Sequence, residues 1–330
     1  MATKKTAATP EAAVKTRELT NSMRNKFASC HRAYKIAYND LVRPAVESDA
    51  LSFGTAMHAL LEGYWGNTDE VPTLTPLADP YKQATLEALY AGYCRQWGEA
   101  DNARFDHLGS EIRFDAPLMN PETGAVSKTW HLAGKIDAVA KERDGGKVFI
   151  VEHKTTSQDI GPGSDYWRKI PIDGQVSGYF VGAKSKGFEA ECCLYDVIRK
   201  PTIKPLKATP VDKIKYNKDG TVSKTCRLQD ETPDEWKERL SADIAERPEY
   251  YFARLEVVRS ETDLAEYLFD MWAVGREIAD AERMGRFSRN PLSCSVFGTC
   301  EYFDVCTGCA SLDDVTLFKK IDTPNPELEA

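Results

Sequence analysis

The sequence is short of everything that would tie it to a membrane or a motor. No stretch approaches the roughly 20 consecutive apolar residues of a bilayer span. The N-terminus has no apolar core of a secretory leader, so a cytoplasmic address is expected. No GxxxxGK[ST] phosphate loop is present, which excludes a built-in ATP-driven motor of that type. No internal repeat is visible. In a reducing compartment the nine cysteines are not expected to pair as disulfides, and clustered ones read first as metal ligands.

What is present is a chain of 330 residues, 42% hydrophobic and 28% charged. That is enough for one large domain with insertions or two smaller ones around a sizeable core. The net charge of −8 argues against a uniformly basic nucleic-acid binder, but the charge is uneven. Residues 1–35 carry +6 and residues 199–227 carry +7, leaving −21 elsewhere. Local positive surfaces on an acidic body follow, and solvated loops are the bland account of either segment.

Hydrophobic periodicity places the elements. Residues 1–16 show no apolar pattern and read as a disordered tail. A helix is expected over 17–38, and a second from near Gly54 through Trp65, with His58 and Glu62 one turn apart. Asp79-Pro80 is a helix start. Strands are expected at 110–117, 129–140 and 147–154, with ERDGG at 142–146 as the turn between the last two. A helix at 171–187 and a strand at 189–198 follow. Thr232 caps a helix running to about Arg247. A strand at 252–259, a helix at 260–285 and an acidic flexible tail at 311–330 complete the reading. This order fits a mixed α/β core.

Three separated segments carry metal-ligand chemistry. His58 lies in GTAMHALLE, Asp137 in LAGKIDAVA, and Glu152 with Lys154 in VFIVEHKTT. Side chains two apart in a strand share a face, so Glu152 and Lys154 point one way and His153 the other. The turn at 142–146 brings Asp137 toward Glu152. Two adjacent carboxylates repel unless a cation lies between them. A divalent ion relieves the repulsion, lowers the pKa of a bound water and polarises a phosphate. A lysine there can neutralise developing charge. Each feature alone has an ordinary explanation: an ExK at a strand end, an aspartate ending a strand, a packed helical histidine. Their joint order carries the argument.

GTAMH, GKID, EHK and QVSGY, in this order, resemble the RecB-like branch of the PD-(D/E)XK nuclease superfamily. EHK stands where DxK is more usual. The resemblance covers roughly Cys30 to Cys306. It implies an α/β restriction-endonuclease-like core, a mixed central sheet flanked by helices. It also implies Mg²⁺ or Mn²⁺ held by His58, Asp137, Glu152 and the His153 backbone carbonyl. Lys154 would be the catalytic lysine, and Gln175 and Tyr179 the QxxxY pair that positions DNA and the active site. Glu111 matches a frequent acidic position.

Cys294, Cys300, Cys306 and Cys309 fall within sixteen residues, in CSVFGTCEYFDVCTGC, with Phe297, Tyr302 and Phe303 available to shield a metal group. Three close thiolates need a fourth. Cys309 would give a local zinc-like knot, and Cys30 is the remote choice. The resemblance favours Cys30, because an iron–sulfur subset of the branch, including CRISPR adaptation nucleases and AddB-type exonucleases, holds a [4Fe–4S] cluster with one upstream and three downstream cysteines. Zn²⁺ is the alternative. The helical N- and C-terminal parts would then be joined by the cluster.

The same resemblance makes the substrate DNA, single-stranded or at an end. Lys204, Lys207, Lys213, Lys215 and Tyr216 sit in a Pro- and Lys-rich segment expected to be an extended loop or hairpin that contacts phosphates and bases. Tyr166 and Trp167 are further candidates for base stacking, with packing the better account of Trp167. The expected organisation is one nuclease domain over 17–310. It comprises a helical part at 17–105, a catalytic core at 106–200, a basic loop at 201–230 and a helical part with the cysteines at 231–310. The expected activity is a metal-dependent deoxyribonuclease, with exonuclease action favoured, in recombination, repair or phage DNA processing. Its setting would be a bacterial or phage-infected cell, beside a separate helicase or recombinase. The alternative is a non-catalytic DNA-binding accessory subunit that keeps the fold.

Overall fold

The computed structural model describes residues 16–66, 76–296 and 298–329. The expected tail at 1–16, apart from Thr16, and the shielding role of Phe297 lie outside these residues.

Strand β1 (Arg17–Leu19) precedes helices α1 (Asn21–Ser29) and α2 (His31–Tyr34), a π-turn at Lys35–Asn39 and strand β2 (Val42–Pro44). The single helix expected over 17–38 is therefore divided. Arg17–Leu19 instead joins the free edge of a later strand, with Leu19 fully buried, and the Thr20 hydroxyl caps α1 by accepting from the Met23 N–H. The second break falls at Cys30, whose backbone is extended between α1 and α2.

Helices α3 (Asp49–Trp65) and α4 (Pro80–Arg104) follow. Ser48 caps α3 five residues earlier than GTAMH alone suggests, and Asp79 caps α4 through the Tyr81 N–H. Three long strands come next: β3 (Phe105–Met119), β4 (Val126–Glu142) and β5 (Val148–Thr156). After α5 (Asp165–Arg168), helix α6 (Gly174–Ser185) crosses from β5 to its parallel neighbour β6 (Ala190–Arg199). Residues 201–230 are extended, with one 3-10 turn at Val211–Lys213 and one bridge between Tyr216 and Val222, as the Lys-Pro pairs imply. Helix α7 (Pro233–Glu246) starts with the Thr232–Glu235 capping box. Helix α8 (Pro248–Tyr251), strand β7 (Phe252–Val257), helix α9 (Glu261–Met284), helix α10 (Phe303–Thr307) and strand β8 (Phe318–Lys320) complete the chain.

The main sheet runs β1-β4-β5-β6-β7, with β3 also paired to β4. It is mixed: β1–β4 and β5–β6 are parallel, and β3–β4, β4–β5 and β6–β7 antiparallel. One face packs Ile150, Tyr195 and Val197 against α6 and α9 through Val176, Phe180 and Met271. On the other side Met57 and Leu61 of α3, Leu89 of α4 and Leu240 of α7 form a second core. Alternation along the buried strands supplies both faces. Gly178 permits close approach of α6 to α9, since a Cβ there would lie 2.7 Å from the Tyr267 hydroxyl.

Two expected boundaries are corrected. Strands β1 and β7 belong to the same sheet as the catalytic core, so the division at 106–200 cuts through one hydrogen-bonded unit. Residues 311–329 are not a flexible tail. Strand β8 pairs with β2, and Phe318 and Leu328 are buried. Asn325, 1% exposed, donates to Glu18 Oε2 at 2.8 Å. Phe318 and Leu328 of this acidic segment each find a pocket, which composition alone does not reveal, whereas Val315 and Leu317 stay exposed.

Candidate active site

The site forms where two strands part. Strands β4 and β5 pair over Ala138–Lys141 and Val148–Val151, and Asp137 and Glu152 are the next residues outward. Beyond this point the His153 N–H has no β4 carbonyl to meet. It donates instead to Asp137 Oδ2 at 2.8 Å. Helix α3 brings His58 over the same point, with Nδ1 3.5 Å from Asp137 Oδ2.

Glu152 is 1% exposed, and its close partner is the Lys154 ammonium, in ion contact with Oε1. Lys154 Nζ also donates to Gln175 Oε1 at 3.0 Å, and Gln175 Nε2 donates to the Tyr179 hydroxyl at 2.7 Å. Asp173 caps α6 through the Gln175 N–H at 2.8 Å, which fixes Gln175 in the first turn and Tyr179 one turn on. The i, i+4 spacing of QVSGY thus faces the sheet carboxylates.

His58, Asp137, Gln175 and Tyr179 line a cleft of about 610 Å³, together with Glu62 and Glu111. Glu111 stands opposite Asp137, between the Ser110–Ala138 and Ile112–Ile136 pairs, with φ +48° and an ion pair to Lys135. Lys135 escapes the sequence reading, although it is the second residue of GKID. The opposite wall holds Glu327 and Leu328, which a mobile tail could not supply.

The electrostatics are those of a site short of positive charge. Burial, reinforced by Asp137 and opposed by Lys154 and His58, pushes the Glu152 carboxyl up to about 7. Burial acts to raise Asp137 as well, but His58, His153 and Lys154 hold it below the usual carboxylate range. Burial works to lower His58, and Asp137 and Glu152 more than offset it, leaving the imidazole raised. Two acids in one buried place, one held toward its ionised form and one pushed toward its protonated form, suit a divalent cation better than a single lysine. The donor set of carboxylates, an imidazole and a carbonyl fits Mg²⁺ or Mn²⁺.

A tighter trio of possible ligands, Glu18, Asp115 and His131, lies at the β1, β3 and β4 edges, with one ligand atom from each within 4.8 Å of the others. Arg113 already contacts Glu18 and lies 3.7 Å from Asp115, so this trio holds its own cation.

Cys30, Cys294, Cys300 and Cys306 line a separate cavity of about 360 Å³. Cys309 is exposed and is not part of that lining. Asn290 Nδ2 and Ser293 Oγ both donate to the Ser29 carbonyl at 2.8 Å, which ties the distant cysteine segments together. Burial first, then Cys30, raises the Cys306 thiol. Among the described residues no three of these sulfurs lie within 4.8 Å of one another. A tetrahedral Zn²⁺ with bonds of about 2.3 Å would draw them to roughly 3.8 Å.

Lys204, Lys213, Lys215 and Tyr216 are exposed, and Lys207 is exposed while paired to Asp230 at 2.9 Å. At the base of this loop the Lys200 ammonium lies 4.7 Å from the Phe53 ring of α3, near the cleft-lining turn of that helix. Tyr166 is buried and Trp167 half-buried, with its indole N–H bound to the Ile160 carbonyl, so both are packing residues and not stacking platforms.

A sequence model of the PD-(D/E)XK nuclease superfamily matches residues 18–307. Among solved structures, a phage-related exonuclease from Haemophilus somnus 129PT is 13% identical, with 82% of this chain and 97% of that chain covered at a TM-score of 0.33. The crystal structure of SSO0001 is also 13% identical, with 81% and 90% covered at a TM-score of 0.29. No curated protein matches the sequence. With the family pattern spanning nearly all of the described sheet and both ends of the cysteine set, the chain belongs to the PD-(D/E)XK nuclease superfamily.

Proposed function

We propose that this chain is a divalent-metal-dependent deoxyribonuclease of the RecB-like, iron–sulfur-bearing kind, acting on single-stranded DNA or DNA ends. The observation that carries the reading is the 3.5 Å approach of His58 to Asp137, with the Glu152–Lys154 ion pair on the neighbouring strand, at the point where β4 and β5 separate; among the described residues the three ligand groups do not all lie within 4.8 Å of one another.

His58, Asp137, Glu152 and the His153 carbonyl would hold Mg²⁺ or Mn²⁺, which supplies an activated water and a polarised phosphate. The remaining work falls to the chain. Lys154 carries positive charge beside Glu152 and is available to the phosphate once a metal takes over that carboxylate. Gln175 fixes the Lys154 ammonium through its carbonyl oxygen and orients the Tyr179 hydroxyl through its amide. Glu111 holds Lys135 at the cleft wall. Lys204, Lys207, Lys213 and Lys215 attract the phosphate backbone, and Tyr216, 65% exposed, offers a ring to an unpaired base.

Four cysteine thiolates around a cavity wider than a zinc site support a [4Fe–4S] cluster on Cys30, Cys294, Cys300 and Cys306, with Zn²⁺ and Cys309 as the rival set. A separate helicase or recombinase would supply strands or ends. The rival reading, a non-catalytic DNA-binding subunit, requires the carboxylates to be structural.

Incubation of end-labelled linear and circular single strands with Mn²⁺ or Mg²⁺ tests the proposal. Loss of linear strands alone is expected, abolished in Glu152→Ala. Equal loss of circles would replace exonuclease with endonuclease action. Cleavage unchanged by Glu152→Ala would overturn the assigned site.

A further inference from the structure

Past Val151, β5 has lost its pairing with β4, and β6 is the strand that holds it, in register through Thr156 and Arg199. The segment bearing Glu152, His153 and Lys154 is therefore positioned from one flank. On that flank His153 pairs in register with Asp196 of β6, and Asp196 with Arg254 of β7. This row of three charged or titratable side chains crosses the sheet on the face away from Glu152.

Two of the three side chains are buried, and that of Arg254 is 11% exposed. Asp196 is 0% exposed and His153 3%. His153 Nδ1 lies 3.5 Å from Asp196 Oδ2, and Arg254 Nη2 lies 3.1 Å from the same oxygen. The Arg254 guanidinium also grips Asp101 of α4 with two bonds of 2.6 and 2.8 Å, and donates to the Tyr93 hydroxyl at 2.9 Å. Tyr93 in turn donates to Asp196. Tyr64 of α3, six residues beyond His58, donates to Asp101 at 2.7 Å. One cluster thus joins β5, β6, β7, α4 and α3.

Burying such charges costs solvation that apolar side chains would avoid, so the cluster is a poor device for stability alone. What it does is link the helix that carries His58 to the strand that carries Glu152. The His58 and His153 rings are 6.3 Å apart, and Trp65 lies 6.2 Å from His153.

We propose that Asp196 and Arg254 are positioning residues that set the spacing between His58 and the sheet carboxylates, and through it the affinity for the divalent ion. The proposal rests on the reading of that site as a metal centre. Strand spacing is soft, whereas metal–ligand distances tolerate errors of only about 0.2 Å. A bidentate, largely enclosed guanidinium clamp supplies the stiffness that a one-sided strand lacks.

The test is calorimetric binding of Mn²⁺ to the full-length protein, with Tm measured on the same samples. Asp196→Asn, nearly isosteric, is expected to weaken Mn²⁺ binding at least tenfold, and Arg254→Lys at least threefold. Leu240→Ala, in the adjoining core of α7, is expected to lower Tm while leaving Mn²⁺ affinity within twofold. Affinities within twofold of the parent in both Asp196→Asn and Arg254→Lys, the ladder variants, overturn the proposal, as does an equal weakening in Leu240→Ala. If Asp196→Asn does not fold, Arg254→Lys decides alone. Glu152→Ala separates the two levels. Loss of Mn²⁺ binding there with normal binding in the ladder variants sinks the ladder and keeps the metal centre, whereas normal binding in Glu152→Ala sinks both.

Discussion

Glu152→Gln in the metal-free protein should change how stability depends on pH. Burial and the neighbouring Asp137 push this carboxyl from its usual 4.5 up to about 7. A group that binds its proton more tightly when folded contributes stability below its unfolded value and loses it as pH rises toward the folded one. Between about pH 4.5 and 7 the parent protein therefore loses up to about 3 kcal/mol from this one residue. His58 works in the same direction, but its raised value places its loss above pH 6.5. Asp137 works oppositely: its depressed value gives stability that disappears only as pH falls below the usual 3.8. Between pH 5 and 6.5 the other shifted groups, the raised Glu327 and the lowered His107 among them, are common to both proteins, so the parent should lose about 2 kcal/mol more than Glu152→Gln. Chemical denaturation of chelator-treated protein at both pH values reads this difference, equivalent to about 3 °C in Tm. Saturating Mn²⁺ should reverse the ranking at pH 7, because a bound cation favours the ionised acid. Parallel pH slopes for the two metal-free proteins, within about 0.5 kcal/mol, would refute the claim that Glu152 is buried against a second carboxylate with too little positive charge.

Anaerobically purified Cys306→Ser should lose most of its iron and its brown colour, whereas Cys309→Ser should keep both; zinc in place of iron, retained in Cys306→Ser, refutes the assignment. Replacing Lys213 and Lys215 by Ala should lower the log–log salt slope of single-strand binding by about 0.7 for each phosphate no longer neutralised, checked by fluorescence anisotropy over a salt series. Tyr216→Ala should cost about 1–3 kcal/mol of single-strand affinity if its ring stacks on a base, with little change in the salt slope. Asn325→Ala should destabilise the protein by about 1–3 kcal/mol by leaving Glu18 Oε2 without its Asn325 donor and the buried Thr20 hydroxyl without its acceptor; an unchanged urea midpoint would show that these two bonds contribute nothing.

The elements that sequence reading locates best are those whose signal is local. The Asp79-Pro80 start of α4, the Thr232 cap of α7 and the turn between β4 and β5 each follow from residues within one turn of the chain. The ordered strings GTAMH, GKID, EHK and QVSGY are legible for the same reason, since each fixes a spacing on one helix or strand. The failures are long-range. Nothing near Arg17–Leu19 announces that β4 has an open edge for it, and nothing in the acidic stretch 311–329 announces pockets for Phe318 and Leu328. Asp196 carries a usable signal, a charge inside the apolar run ECCLYDVI, but its partners lie 43 residues upstream at His153 and 58 downstream at Arg254.

Residue order alone thus settles the types of the central elements, the ligand chemistry available at His58, Asp137 and Glu152, and the membership of this chain in a nuclease superfamily. Three features needed the folded chain: the separation of β4 and β5 at Asp137 and Glu152, the buried charges behind His153 that link α3 to the sheet, and the acidic C-terminal stretch that walls the cleft. Local patterns depend on neighbours a few residues apart, whereas these three features depend on which distant surfaces meet, and that choice minimises the free energy of the whole chain and not of any segment.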